Sequence, residues 1–237
     1  MCGRFVQKTP LGDIRVLFET VGTVPNMPPR YNAAPTDNLA VVRFNPQTRE
    51  RALDLLRWGL VPLWAKDLSF GPKCINARGE TAATNNIFRD AFERRRCLIP
   101  ADGFYEWQKT GGKTQPYAIV PAPVVPEGGS IFAFAGLWER WKNPADGSIV
   151  RSFAIVTGLP NPLCRPIHER MPVILPKAVW SLWLGEAEAS LDELHALLVP
   201  YPAELMRVYP IGPAVGNVRN DTPDLLDPMV MESAAPA

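Results

Sequence analysis

Proline sets the strongest limit on the fold of this chain. It occupies 26 of the 237 positions, roughly twice the usual share of about 5%. A proline ring fixes φ and removes the amide hydrogen, so proline ends helices and is excluded from central strands. The chain is therefore predicted to fold into many short elements that are joined by stiff turns.

The rest of the pattern predicts more strands than helices. Runs rich in strand formers predict strands at 38–44, 51–61, 98–107, 117–120, 131–141, 153–157, 173–175 and 205–211. Because strands and helices do not alternate along the chain, we expect an α+β fold with a mostly antiparallel β-sheet core. That core would be barrel-like or made of two packed sheets, flanked by several short helices. Residues 1–227 are predicted to form a single domain, and 228–237 a loose C-terminal tail.

Several residues mark where helices begin and end. The pair Thr9-Pro10 predicts a capped helix with proline at its first position. Ser190 and Glu193 have the spacing of a capping box, and Gly185 is placed to close the helix before it. The run Arg94–Arg96 is predicted to be a solvated helix end, where cations complement the helix dipole.

Charge and hydropathy limit the possible partners. The formal net charge is +1, which neither indicates nor excludes a nucleic acid, since binding depends on local charge. No apolar run reaches the roughly 20 residues that cross a bilayer. The start Met1-Cys2-Gly3-Arg4-Phe5 also lacks the layout of a secretory signal. We therefore expect a cytoplasmic protein without a membrane partner.

The cysteines are scattered, at positions 2, 74, 97 and 164. None forms a close pair of the kind that binds zinc, so we predict no metal and no cofactor. In a reducing compartment the four are expected to be free thiols. Cys74, Cys97 and Cys164 lie in apolar or strand-like segments and are predicted to be buried, whereas Cys2 is predicted to be exposed.

Cys2 could carry an unusual chemistry. Methionine aminopeptidases remove Met1 before a small residue, which would give Cys2 a free α-amine beside its thiol. The pKa of such an amine is about 7.7–8.0, so an appreciable fraction is neutral and nucleophilic. The amine can condense with an aldehyde to an imine, and the thiol can then close a thiazolidine ring. Abasic deoxyribose presents such an aldehyde, although Cys2 alone is better interpreted as an accident of the start codon.

Polar islands elsewhere strengthen the first interpretation. They interrupt or end apolar runs, and buried polar groups need partners, so they suit a site better than a core. The islands are 30–35 (RYNAAP), 75–81 (INARGET), 102–107 (DGFYEW) and 167–172 (IHERMP). Together with the start CGRF and the segment 216–220 (GNVRN), they resemble the SRAP family, the SOS-response-associated proteins that crosslink to abasic sites in single-stranded DNA. The resemblance runs in order from Cys2 to about Asn220.

The resemblance implies the SRAP fold and assigns four catalytic roles. Cys2 would be the nucleophile, and Asn76 would hydrogen-bond around its amine and the opened sugar. Glu106 would move protons during imine formation and ring closure. His168 would be the acid that helps to open the deoxyribose and, in reverse, to release the crosslink.

The resemblance also implies a path for DNA. Three arginines beside the catalytic positions would hold flanking phosphates: Arg4, Arg78 and Arg170. Trp107 and Trp64 would stack on unpaired bases, and Thr157 would add a hydrogen bond to the DNA backbone. Asn86 departs from the pattern, because a basic DNA contact is expected there. The implied partner is single-stranded DNA containing abasic sites, bound by a DNA-associated monomer.

Each assignment has a structural alternative. Glu106 could be a surface strand residue, and both tryptophans could belong to the core. His195 lies in a leucine-rich helix, which leaves His168 as the stronger catalytic candidate.

Two other functions remain open. One is a thiol peptidase or autopeptidase that uses Cys2, with His168 as base. The other is a non-covalent module for single-stranded DNA, whose binding high salt would disrupt.

Overall fold

Short elements make up the chain. The structure, a computed structural model, describes residues 2–123 and 131–229. The strands are β1 (Phe5–Gln7), β2 (Arg30–Ala33), β3 (Asn38–Asn45), β4 (Glu50–Trp58), β5 (Asn76–Arg78), β6 (Arg96–Ala101), β7 (Gly103–Thr110), β8 (Lys113–Pro121), β9 (Phe132–Lys142), β10 (Ile149–Gly158), β11 (Met171–Pro172) and β12 (Met206–Pro210). The α-helices are α1 (Leu11–Leu17), α2 (Gly79–Ala82), α3 (Arg89–Arg94), α4 (Trp180–Leu184) and α5 (Leu191–Ala196). Single 3₁₀ segments lie at Leu68–Lys73, Lys177–Val179, Ala203–Leu205, Pro213–Gly216 and Pro223–Leu226.

The larger sheet closes on itself. Its strands follow the order β11-β10-β4-β3-β6-β9, and β9 also pairs with β10. Strands β10, β4, β3, β6 and β9 therefore form a ring. Most pairs are antiparallel, but β10 runs parallel to both β4 and β5. The predicted α+β class with a mostly antiparallel, barrel-like core is confirmed.

The strands of the ring are buried on both faces. In β3, Leu39 and Val41 join one apolar cluster while Ala40 and Val42 join another, as expected from side chains that alternate along a strand. The cluster of Ala40 and Val42 also contains residues of the short helices, including the stacked pair Phe18 and Trp180, whose ring centroids lie 4.4 Å apart. The helices therefore cover one face of the ring.

The smaller sheet packs on the other face. Its strand order is β12-β8-β7-β1-β2. Phe5 of β1 lies edge-on to Trp58 of the ring, with centroids 5.1 Å apart. Gln7, which is buried, joins the sheets by donating from Nε2 to the carbonyls of Ala40 (2.9 Å) and Pro100 (2.7 Å). Two packed sheets, one of them a ring, thus share a core.

The segment 98–107 does not form the single strand that was predicted. The chain leaves the ring at the end of β6 and enters the smaller sheet at β7. Asp102 marks the crossing, since its carboxylate accepts the backbone N–H groups of Lys8 (2.7 Å) and Thr9 (3.0 Å). Gly103 follows, and a Cβ there would lie 2.8 Å from the carbonyl oxygen of Ile119. The run is uniformly strand-forming, so only these long-range contacts reveal the break.

The N-terminal cap predicted for the first helix is also wrong. α1 begins at Leu11 after Pro10, which makes no side-chain cap. The Thr9 hydroxyl instead donates to Asp102 at 2.6 Å. By contrast, the capping box of Ser190 and Glu193 is confirmed, and Gly185 closes α4 at a φ of 82°.

The arginine run at the end of α3 is only partly solvated, so its prediction needs correction. Arg94 is exposed, but Arg95 pairs with Glu139 at 2.8 Å. Arg96 is buried at the start of β6 and donates to the carbonyls of Phe92 (2.8 Å) and Glu93 (2.5 Å). These carbonyls lack partners within a helix end, so a guanidinium drawn inward satisfies them.

The predicted strand at 173–175 is reduced to a single bridge between Ile174 and Phe134. Of the predicted tail, residues 230–237 lie outside the described residues, and Pro228 bridges to Ile211. No helix within the described part of the chain has the length and apolar character needed to cross a membrane.

Candidate active site around Cys2

Cys2 belongs to the apolar cluster that both sheets share. It is fully buried, so the prediction of an exposed residue is wrong. Its thiol lies 3.7 Å from the Arg4 carbonyl, which also accepts the Tyr105 amide of β7 at 3.1 Å. Phe5 draws the N-terminal segment inward, because its ring packs between the sheets. Burial raises the pKa of the Cys2 thiol, and the nearby charge of Glu106 raises it further.

Asn76 approaches Cys2 from the ring. It opens β5, which pairs in parallel with β10 so that Asn76 lies opposite Ile155. Its Nδ2 donates to the Cys2 carbonyl at 2.9 Å. Its Oδ1 is buried and has no hydrogen-bond partner among residues 2–123 and 131–229. Such a buried acceptor is destabilising unless a donor reaches it.

Glu106 points to the same space from β7. Strand alternation puts Glu106 on the face of Phe104, which packs between the sheets, and leaves Trp107 on the opposite face. Glu106 is 4% exposed. Burial raises the pKa of its carboxyl group, and the nearby charge of His168 partly offsets this effect. Burial, together with the charge of Glu106, raises the pKa of Cys164 to about 12.

His168 belongs to the segment between β10 and β11. Its Nδ1 accepts the backbone N–H of Arg170 at 3.0 Å. Gln108, two residues after Glu106 on the same face of β7, donates to the Pro166 carbonyl at 2.9 Å and so holds this segment against the strand. The structure thus brings Cys2, Asn76, Glu106 and His168 together, although they are far apart in sequence.

Arg170 is held by protein groups. Its guanidinium donates to both carboxylate oxygens of Glu80, at 2.7 and 2.8 Å, and to the Thr157 carbonyl at 2.5 Å. Thr157 itself is fully buried. The predicted DNA contact of Thr157 is therefore a point to correct, since its hydroxyl is not presented to solvent.

Arg4 is also turned inward. Its guanidinium donates to Asn32 Oδ1 at 3.1 Å and to the Val215 carbonyl at 2.8 Å. The buried amide of Asn32 in turn donates to the carbonyls of Val215, Asn217 and Asn220. Asp221 completes this clasp by accepting the amides of Tyr31 and Asn32. Arg4 thus ties the N-terminal segment to the C-terminal one.

The other predicted DNA contacts differ in exposure. Arg78 is exposed and makes no side-chain hydrogen bond or ion pair with the described residues. Trp64 is 59% exposed, with its ring edge-on to Phe70 at 5.0 Å. Trp107 is half-buried against the cluster that contains Tyr105. Of these residues, Arg78 and Trp64 are the most available to an outside partner.

Some site residues were not singled out from the sequence. Glu80, Gln108 and Asp221 all orient other site groups, and the first lies inside one of the polar islands. Their roles depend on partners far along the chain, so only charge within or beside a motif could have drawn attention to them.

Among the described residues, no three His, Cys, Asp or Glu side chains are grouped so that they could hold a metal ion.

Comparison with known proteins shows which sequences and folds this chain resembles. The family model described as SOS response associated peptidase (SRAP) matches residues 1–218. Abasic site processing protein YoqW of Bacillus subtilis (strain 168) is 39% identical over 229 residues, covering 96% of this chain and 99% of that protein. Abasic site processing protein YedK of Escherichia coli (strain K12) is 33% identical over 239 residues, with coverage of 97% and 100%.

Solved structures share the fold. A protein from Bacteroides thetaiotaomicron superposes with a TM-score of 0.85 at 22% identity, covering 97% of this chain and 100% of that one. A protein from Bordetella bronchiseptica superposes with a TM-score of 0.73 at 29% identity, with coverage of 89% and 100%.

Proposed function

Because this chain belongs to the SOS response associated peptidase (SRAP) family, we propose that it processes abasic sites in DNA by capturing them covalently through Cys2. The relatives named above are called abasic site processing proteins. The substrate on this proposal is single-stranded DNA with an abasic site, and the protein acts as a DNA-associated monomer without a cofactor. Met1, which lies outside the described residues, is removed first by hydrolysis of its peptide bond.

The proposed reaction balances without an oxidant. The neutral α-amine of Cys2 adds to the aldehyde of the opened deoxyribose to give a carbinolamine. Loss of water gives an imine. The thiol sulfur then adds to the imine carbon while its proton passes to the nitrogen, which closes a thiazolidine ring. One water leaves in total, and hydrolysis of the ring reverses the sequence.

The unpartnered amide oxygen of Asn76 is the observation that carries this proposal. Its Nδ2 already donates to the carbonyl of Cys2. Its Oδ1 is buried, and no donor among the described residues hydrogen-bonds to it. An α-amine released on Cys2 would belong to the same residue as that carbonyl and would supply N–H donors near Asn76. Asn76 would then orient the amine toward the aldehyde, which is a proximity effect.

Glu106 suits the proton transfers of this route. Because burial raises the pKa of its carboxyl group, a larger fraction is protonated near neutrality than for an exposed glutamate. A protonated carboxyl group can donate to the hydroxyl that leaves the carbinolamine, and the carboxylate can then accept the thiol proton. His168, close enough to affect the titration of Glu106, is proposed to assist opening of the sugar and release of the adduct.

The titration of the Cys2 thiol argues against a thiol peptidase. A peptidase nucleophile attacks as a thiolate, and its pKa is lowered by positive surroundings. Here burial and the carboxylate of Glu106 both act in the opposite direction. A route in which the amine attacks first and the thiol adds later, to an already electrophilic imine, agrees better with this environment.

The test is incubation with an abasic single-stranded oligonucleotide, followed by denaturing electrophoresis and intact mass measurement. We expect a protein that lacks Met1 and forms a heat-resistant adduct whose mass is the sum of protein and DNA less one water. Cys97→Ala, which removes another buried thiol, should form the adduct as the unaltered chain does. Cys2→Ala should form none.

Three outcomes would contradict the proposal. The same adduct from Cys2→Ala would exclude the ring. Retention of activity after selective blocking of the α-amine, with the thiol left free, would favour the peptidase. A protein that binds intact and abasic strands equally and leaves both in 1 M salt would be a non-covalent module.

A further inference from the structure

Glu80 takes no part in the proposed reaction, yet both of its carboxylate oxygens pair with Arg170 beside the site. We infer that Glu80 is a positioning residue that acts through Arg170 on the imidazole of His168. The inference rests on the proposed role of His168 and adds a residue that controls it.

The first step is the way in which Arg170 is fixed. Both carboxylate oxygens of Glu80 accept from its two terminal nitrogens, at 2.7 and 2.8 Å, a geometry that is specific as well as strong. The same guanidinium donates to the Thr157 carbonyl at 2.5 Å. Its Nε is buried and has no partner among the described residues. The side chain is 13% exposed, so its terminal donors are directed at the protein.

The second step links Arg170 to the ring of His168. The backbone N–H of Arg170 donates to Nδ1 at 3.0 Å. In a neutral imidazole one nitrogen accepts and the other carries the hydrogen. This contact therefore assigns the hydrogen to Nε2. The turn from His168 to Arg170 ends at the residue that Glu80 anchors, so movement of the guanidinium would release the turn and the ring with it.

The third step concerns the helix that carries Glu80. It lies in the first turn of α2, directly after β5. Strand β5 supplies Asn76 to Cys2, and α2 supplies Glu80 to Arg170. One short strand-helix unit thus places groups against both the nucleophile and the acid of the proposed reaction. The hydrogen bonds from Arg170 lower the pKa of Glu80, which keeps the pair ionised.

A different role for this pair would give opposite results. If Arg170 were mainly a phosphate contact, Glu80 would compete with DNA for the guanidinium. Removing its charge would then tighten binding of single-stranded DNA and speed capture. If Glu80 positions His168, removing its charge should slow release more than it slows capture, and it should not tighten DNA binding.

The kinetic test uses Glu80→Gln, which keeps the size of the side chain and removes its charge. Release of the purified adduct should slow roughly tenfold, as expected when a catalytic group loses its orientation. In a His168→Gln background the same change should have no further effect, since the two residues act as one unit. Glu80→Asp, which keeps the charge, should recover part of the rate. Glu93→Gln, an equivalent change at an exposed position of α3, should release at the normal rate.

A spectroscopic test does not depend on the adduct. The chain has two histidines, so their ring nitrogens can be assigned by ¹⁵N–¹H correlation at a pH where both rings are neutral. His168 should be the Nε2–H form in the unaltered protein and a mixture of both forms in Glu80→Gln, while His195 stays unchanged.

An unchanged ring in Glu80→Gln, an additive kinetic effect or tighter DNA binding would overturn the inference. If the unaltered protein formed no adduct, the proposed function would fail while the ring measurement would still decide the role of Glu80.

Discussion

Glu106 is buried near Cys2 and His168, and this position affects folding as well as chemistry. Its folded-state pKa is raised above the ordinary value of 4.5 because burial disfavours the carboxylate. The folded state therefore binds the proton more tightly than the unfolded state. By linkage, the contribution of this group to stability is greatest below the unfolded pKa and is lost as pH rises through the folded pKa.

Replacing Glu106 by Gln should therefore stabilise the protein near neutrality while it slows capture. Thermal unfolding should show a higher Tm for Glu106→Gln at pH 7, and the difference should vanish below about pH 4, where both states of the unaltered protein are protonated. Capture should slow by about 10²-fold or more, the usual contribution of a general acid–base group. A lower Tm at pH 7 would show that the carboxylate is stabilised in the fold.

Arg78 is the exposed cation of the site, so its effect should be electrostatic. Arg78→Ala should weaken binding to intact and abasic strands alike. It should also reduce the slope of log affinity against log salt by about 0.7, the value for one phosphate contact on a single strand. Arg94→Ala, a change of equal charge at an exposed position of α3, is the control and should leave the slope unaltered. An unchanged slope for Arg78→Ala would remove it from the DNA path.

The resemblance singled out residues that lie around Cys2 and gave each a role. The roles of Asn76, Glu106 and His168 stay predictions, and their proximity follows from strand pairing that no local pattern records. Arg4 and Arg170 were expected to face DNA because they are charged and lie beside catalytic positions. Their partners include the Val215 carbonyl for Arg4 and the Glu80 carboxylate for Arg170, 211 and 90 residues away along the chain, so neighbouring residues alone could not predict them.

At the scale of elements, local sequence patterns predicted where helices begin and end better than they predicted which distant segments contact each other. The capping box at Ser190 and the left-handed Gly185 depend on a few adjacent residues, and both are confirmed. The break at Asp102 depends instead on the amides of Lys8 and Thr9, which follow β1. Arg96 is a similar case, since it looks like the last of three exposed cations but satisfies the carbonyls of α3 and of Trp183.

Arg96→Leu should therefore destabilise the protein by about 2–4 kcal/mol, because two buried carbonyls and one partly buried carbonyl would lose their donors. The measurement is urea unfolding at equilibrium. Arg94→Leu, two positions earlier and exposed, should change the free energy of unfolding by no more than about 0.5 kcal/mol. Equal effects of the two substitutions would show that the inward contacts of Arg96 contribute little.

At the scale of the molecule, the two sheets share one core. The cluster that contains Cys2 combines Phe5 and Phe104 of the smaller sheet with Leu39 and Phe153 of the ring. Gln7 adds hydrogen bonds between the sheets. Sequence patterns predicted the class of this arrangement but could not distinguish a ring from stacked sheets, since closure depends on β10 pairing with both β9 and β4.

A shared core predicts a single cooperative unfolding transition, as expected of one domain. Far-ultraviolet circular dichroism and tryptophan fluorescence should give coincident urea curves. A Trp107→Phe variant removes the tryptophan on the smaller sheet, so the remaining fluorescence reports chiefly on the ring and should keep the same midpoint. Separate midpoints would indicate that the sheets unfold independently.

The full burial of Cys2 has a consequence for the survival of the protein in a cell. Peroxides and soluble electrophiles consume accessible, ionised thiols. A sulfur that is covered and protonated escapes them, so the thiol of Cys2 should stay reduced for longer than an exposed thiol would. Alkylating reagents should modify the native chain slowly and the denatured chain at once, because the folded structure keeps them away from the thiol.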